Sequence, residues 1–153
     1  MDAITDVPSP TNEPVHEYAR RSPERKRLKA ALKSLAATPI DLPHVIGGKH
    51  VMGAGARIDV VQPHNHRAVL GTLTNGEHAE ATAAVEAATA AKAAWAATPF
   101  DERAAVILRA ADLLAGPWRE KLAAATMLGQ SKTAYQAEID CPCELVDFWR
   151  FNV

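Results

Sequence analysis

Cysteines, aromatic residues and long apolar runs are all scarce in this chain, and each scarcity removes a class of protein. The 153 residues include 2 cysteines, Cys141 and Cys143. One residue apart, they are poorly placed to bridge each other, which excludes a disulfide scaffold. Aromatic residues make up 5%, and none falls in the basic stretch Arg20–Lys33. The stacking platforms of a single-strand nucleic-acid binder are therefore missing from that stretch. An excess of one charge is missing too. The 17 Lys and Arg against 18 Asp and Glu leave a formal net charge of −1, which gives no global pull toward nucleic acid or an anionic membrane. No apolar run approaches the roughly 18 residues of a membrane span. The opening MDAITDVPSPTNEP carries acids where a signal peptide needs basic residues and an apolar core, so a cytoplasmic location is expected.

What is present suits one domain of ordinary size, since hydrophobic residues make up 48% and a sizeable core is within reach. Residues 1–21, with Pro8, Pro10 and Pro14 among polar neighbours, predict an extended or disordered arm. Ser22-Pro23-Glu24 predicts a capped helix over residues 22–37, with Leu28, Ala31, Leu32 and Leu35 as its apolar stripe and Pro39 beyond its end. From residue 43 the pattern becomes a hairpin plus helices. Val45-Ile46, Gly47-Gly48 and Lys49-His50-Val51 predict a tight hairpin, because glycine supplies the positive φ of a two-residue turn. Two short strands follow, at Ile58–Val61 and Arg67–Leu70, joined by the polar turn Pro63–His66. An alanine-rich helix over 79–97 shows Ala81, Ala84, Val85, Ala88, Ala91 and Trp95 as its expected buried face. Thr98, Pro99 and Asp101 predict a capping box for a helix bearing Ala104, Ile107, Leu108, Ala111 and Leu114. A helix from Trp118 to Leu128 should close on Gly129. The last helix begins near Ser131, and Pro142 should kink or break it. The fold class is α+β, mostly helical with an N-terminal β-hairpin and meander.

Few residues point to chemistry by themselves. His64-x-His66 is half of a metal site with no third ligand at typical spacing, and Cys141-x-Cys143 on a helix points its thiols about 200° apart. No metal site is expected. Gly129-Gln130-Ser131-Lys132 lacks the nested spacing of a phosphate-binding loop and has no preceding strand. Arg20, Arg21, Arg25, Lys26, Arg27, Lys29 and Lys33 read as the solvated face of a surface helix. Glu144 lies one turn from Asp140 and from Asp147, a carboxylate row on a helix that is also rich in aromatic residues.

The order of several sequence words resembles the aldehyde dehydrogenase superfamily. These are Ile46-Gly47-Gly48-Lys49, Pro63-His64-Asn65-His66, an Ala-rich helix ending in Trp95, and Thr98-Pro99-Phe100-Asp101-Glu102-Arg103. Leu108–Leu114 and Gly129-Gln130-Ser131-Lys132-Thr133 complete the series. Ser22-Pro23-Glu24-Arg25, Ala111–Pro117, Gln136-Ala137-Glu138-Ile139-Asp140 and Phe151-Asn152 are similar to the 1-pyrroline-5-carboxylate dehydrogenase branch. The resemblance implies the N-terminal part of an α/β dehydrogenase fold, with 43–153 as an incomplete part of its NAD-binding domain. It implies NAD as cofactor, L-glutamate γ-semialdehyde as small-molecule substrate, a role in proline breakdown and a homo-oligomer. It also implies that Glu144 places a carboxylate beside the substrate's α-ammonium group. Pro142 departs from the small, helix-forming residues usual there. The family's nucleophilic cysteine, its general-base glutamate and its cofactor contacts have no counterpart here, so this segment is expected to hold no catalytic or cofactor-binding residue and to be inactive alone. The other expectation is a non-catalytic, dehydrogenase-like module that docks on a full-length subunit.

Overall fold

A computed structural model of the chain describes residues 6–153; the first five residues of the expected arm lie outside the described residues. The elements are α1 (Pro23–Ala37), β1 (Ile40–Asp41), β2 (His44–Ile46), β3 (Lys49–Val51), β4 (Arg57–Gln62), β5 (Asn65–Thr74) and α2 (His78–Ala97). They are followed by α3 (Phe100–Ala115), α4 (Arg119–Gln130), α5 (Ala134–Glu138), a π turn (Ile139–Cys143) and α6 (Glu144–Phe151). They divide into two compact units, Thr38–Thr98 and the remainder of the chain on either side of it. None of the described helices is long and apolar enough to cross a membrane.

In the Thr38–Thr98 unit, β2 and β3 form the expected antiparallel hairpin. Its turn places Gly47 at φ 56° and Gly48 at φ 77°, a pair of left-handed conformations that side-chain-bearing residues adopt only at a cost. The meander is longer than its apolar words suggested, because β5 runs for 10 residues and takes in Asn65 and His66. Strand β1 escaped the sequence reading. It is 2 residues long and pairs parallel to β5 through Ile40 opposite Gly71 and Asp41 opposite Thr72. Gly71 permits that approach, since a Cβ there would stand 2.3 Å from the Ile40 carbonyl oxygen.

Helix α2 forms where expected, but none of its residues is buried. Val85 is 67% exposed and Trp95 48%, so the stripe expected to be a buried face lies open. Small alanine side chains offer little area, and β2 comes up beside Ala81 and Ala84 without burying them. At the helix end the Thr98 hydroxyl donates to the Ala94 carbonyl at 3.0 Å. Thr98 thus closes α2 and does not cap α3. The predicted capping box is absent: Pro99 holds the cap position without a side-chain bond, and the Asp101 carboxylate accepts from the next residue's N–H.

The helical unit has two small cores. Tyr18, Leu28, Ala123 and Ala124 form one, between the arm, α1 and α4, with Ala31, Leu32, Leu35 and Met127 against it. Ala111, Leu114 and Val146 form the other, between α3 and α6. Burying Leu114 or Val146 stabilises the fold by roughly 1.5–3 kcal/mol each. The Ser22 Oγ accepts from the Arg25 N–H at 3.3 Å, as an N-cap should. Helix α4 does not end at Gly129. It runs through that residue, and the left-handed position falls on Ser131 at φ 56°. The last helix starts later than expected, at Ala134, where the Thr133 hydroxyl accepts from the Gln136 N–H at 3.3 Å.

Pro142 does not break that helix, which continues from α5 through the π turn into α6. It sits inside the π turn, where the Glu144 N–H reaches the Ile139 carbonyl, five residues back. A widened turn takes up the proline, which has no N–H to donate and would crowd a tighter turn.

Candidate functional site

Arm residues 6–21 form no regular element, yet polar contacts tie them to the last helices. The centre of this anchorage is Glu138, fully buried at 0% exposure. Its carboxylate accepts from the Tyr18 hydroxyl at 2.6 Å, the His16 N–H at 2.9 Å and the Arg119 Nε at 3.0 Å. Arg119, 2% exposed, also donates to the Glu13 carboxylate and to the Pro14 carbonyl oxygen. Burial works to raise the Glu138 pKa, but the Arg119, Tyr18 and His16 donors outweigh it and hold the carboxyl below its usual range. Burial likewise works to lower the Arg119 pKa, and its bonds to Glu138 and Glu13 more than reverse that.

The π turn makes this cluster possible. On a regular α-helix, residues five apart point about 140° away from each other. Here Glu138 and Cys143 both reach Arg119, with Cys143 Sγ 3.3 Å from Nη2 and 3.6 Å from the Glu138 carboxylate. Burial first, and the Glu138 charge second, push the Cys143 thiol up to about 12. A thiol so held is neutral at pH 7 and is no nucleophile. Cys141 is only partly buried. His64 lies in the β4–β5 turn and His66 at the start of β5, both exposed. Among the described residues no three His, Cys, Asp or Glu side chains gather as a metal site would need. Arg20, Arg21, Arg25, Lys26 and Lys29 are exposed around an open concavity, while Arg27 pairs with Glu120 at 2.7 Å.

Glu144 lies on the outer side of the same helix, in an open groove of about 690 Å³. The groove runs between the arm and α6, with Val15, Ile139, Phe148 and Phe151 as its apolar lining. Four carboxylates also face it: Glu13, Asp140, Glu144 and Asp147. Three have partners. Glu13 bridges Arg119 and Arg150, the latter at 2.7 Å. Asp140 pairs with Lys132 at 2.9 Å. Asp147 accepts from the Asn12 Nδ2 at 2.7 Å and the Glu13 N–H at 2.6 Å. The exposed Glu144 side chain makes no hydrogen bond or ion pair among the described residues. The groove thus offers one carboxylate with no partner among the described residues, beside aromatic and aliphatic surface, which suits a small ligand carrying a cation and an apolar stem.

The aldehyde dehydrogenase family matches residues 50–153. The chain belongs to that family. Delta-1-pyrroline-5-carboxylate dehydrogenase of Agaricus bisporus is 43% identical over 99% of this chain and 28% of its own length. The mitochondrial enzyme of Dictyostelium discoideum is 41% identical over 99% of the chain and 27% of its own. Among solved structures, the Mycobacterium tuberculosis Delta-pyrroline-5-carboxylate dehydrogenase bound with NAD is 76% identical, with a TM-score of 0.95. That match covers 99% of this chain and 28% of that one. The chain therefore spans little more than a quarter of the length of the relatives it matches. These relatives are aldehyde dehydrogenases, as the sequence words implied. They favour an enzyme segment over a docking module.

The family's NAD does not fit the described residues alone. Helix α2 follows β5 and Gly76, the only strand–glycine–helix passage among them, yet it opens with Glu77 and Glu80. The Glu80 carboxylate already accepts from the Glu77 N–H at 2.8 Å, so two acids stand where a pyrophosphate would need free donors.

The sequence reading missed Arg119, Glu138 and Tyr18. One signal was available for Arg119, which lies four and eight residues before Ala123 and Met127 on the apolar stripe of α4. A charged residue in register with a buried stripe has to be paired.

Proposed function

We propose that this chain is the N-terminal segment of an NAD-dependent 1-pyrroline-5-carboxylate dehydrogenase, a cytoplasmic homo-oligomer that oxidises L-glutamate γ-semialdehyde to L-glutamate in proline breakdown. The observation that carries this reading is the 76% identity to the mycobacterial enzyme across 99% of the chain. Residues 43–153 belong to the NAD-binding domain in this reading, and the nucleophile, general base and NAD contacts come from sequence beyond this segment. The segment alone is inactive. Its role is to bind and aim the substrate: Glu144 receives the α-ammonium group through a charge-assisted contact, and Phe148 and Ile139 cover the carbon chain. Bound NAD supplies the hydride acceptor.

The test is NADH formation from glutamate semialdehyde by the whole natural product that carries this segment, compared with Glu144→Ala. One lost charge-assisted hydrogen bond lowers kcat/KM by about ten- to a hundredfold. A whole product that does not reduce NAD with this substrate defeats the reading; a Glu144→Ala variant of full activity defeats the role of Glu144.

A further inference from the structure

The groove around Glu144 has two walls of different origin, α6 on one side and the arm on the other. Asp147 joins them. It follows Glu144 by three residues, so the two carboxylates share a helix face. Asp147 Oδ2 accepts from Asn12 and Oδ1 from the backbone of Glu13. Glu13 in turn is fixed by Arg119 and Arg150. The latch meets the buried anchorage at Arg119, which serves Glu13, Pro14 and Glu138, whereas His16 and Tyr18 are held by Glu138 and make no contact with Asp147. Losing the Asp147 carboxylate would release Asn12 and the backbone N–H of Glu13, while Arg119 and Arg150 keep the Glu13 carboxylate and Glu138 keeps Tyr18 in its core.

We propose that Asp147 is a positioning residue: it fastens residues 12–13 of the arm as the wall facing Glu144, and so sets the groove's preference for an aldehyde that carries an α-ammonium group. This rests on the reading of Glu144 as the ammonium acceptor. The latch acts in two ways. It holds Asn12 and the Glu13 backbone against Asp147, one helix turn from Glu144, which keeps the wall beside the ammonium group in shape. It also occupies the Asp147 oxygens with the Asn12 and Glu13 donors, while Arg119 and Arg150 pair with Glu13, so that the carboxylate left without a partner for an incoming ammonium group is that of Glu144.

The experiment uses the whole enzyme with two substrates, glutamate semialdehyde and 5-oxopentanoate, the same chain without its amino group. Asp147→Ala is expected to raise KM for the amino-aldehyde about tenfold, with kcat held within about twofold and 5-oxopentanoate kinetics unchanged. Asp147→Asn keeps an acceptor for the Glu13 N–H and recovers most of the loss. Asn12→Ala opens the latch from the arm side without altering α6, and it carries the test if Asp147→Ala folds poorly. Equal losses on both substrates, or a fall in kcat at constant KM, overturn the proposal. A parent enzyme inactive on glutamate semialdehyde brings down the functional reading first, and this proposal with it, before any variant is compared.

Discussion

Replacing Arg119 with methionine tests the buried anchorage most directly. Met fills much of the volume of the arginine stem but removes every donor. Glu138 would keep its bonds from Tyr18 and His16 and lose the guanidinium paired with it. Breaking a buried pair by removing one partner costs about 3–5 kcal/mol. The two surviving donors place this case toward the lower end. Local opening is the right quantity to read, because the arm and the last helices release together when Glu138 loses its partner. At roughly 1.4 kcal/mol per decade, amide exchange across residues 13–18 should accelerate about a hundredfold or more. The His16 N–H is the most direct reporter, since it donates to Glu138 at 2.9 Å. Arg119→Lys keeps the charge but not the fork that serves Glu138, Glu13 and Pro14 at once, and should fall between the two. Hydrogen exchange followed by mass spectrometry on the whole protein decides the matter. Exchange in Arg119→Met within about threefold of the parent would mean that water already solvates the cluster, and the argument from burial would fail.

Stability should fall in alkali. Burial first, and the bond to Glu138 second, raise the Tyr18 pKa, and Cys143 rises to about 12. Groups raised in the folded state stabilise it fully below their unfolded pKa values, about 10 and 8.5. That stability is lost as pH climbs toward the folded values. The urea midpoint should thus decline above about pH 9, and less steeply in Tyr18→Phe; a parent curve flat to about pH 11 would refute it. Glu138 acts in the opposite sense, because its lowered pKa gives stability present above the unfolded carboxyl value and lost as pH falls through the folded one. Gly71→Ala should detach β1, since its Cβ would meet the Ile40 carbonyl at 2.3 Å. Faster amide exchange at Leu42, whose N–H donates to Thr72 at 2.8 Å, would report it, and unchanged exchange would contradict it.

Where local rules decide the structure, the sequence was readable. The stripe of α3 and the Gly47-Gly48 hairpin follow from periodicity and from backbone freedom at glycine, and both appear as expected. The reading failed where a partner distant in sequence decides the outcome. Strand β1 exists because Gly71 accepts it from more than thirty residues away. The α2 stripe has the right period and still none of its residues is buried, so period alone did not report burial. Thr98 had two helices to serve and closed the earlier one. The site shows the same division. Glu144 was singled out by family resemblance alone, whereas its lack of a partner emerged only once Asn12, Lys132 and Arg150 were seen to occupy the neighbouring acids. Arg119 and Glu138 were hidden because a charged residue on a helix reads as solvated until the stripe it lies on is known to be covered.

The π turn also bears on how this helix tolerates changes in length. It spends one residue more per turn than the segments on either side, so the extra residue is absorbed between Ile139 and Cys143 and never transmitted downstream. The helix behaves as an ordinary rod with a splice in it. Removing one residue inside the splice would restore a regular turn while leaving the anchorage on one side and the carboxylate row on the other. Adding or removing one elsewhere in the helix would turn everything beyond that point by about 100° relative to the residues before it. Chains of this kind that differ by a single residue in this helix should therefore carry the difference at positions 139–143.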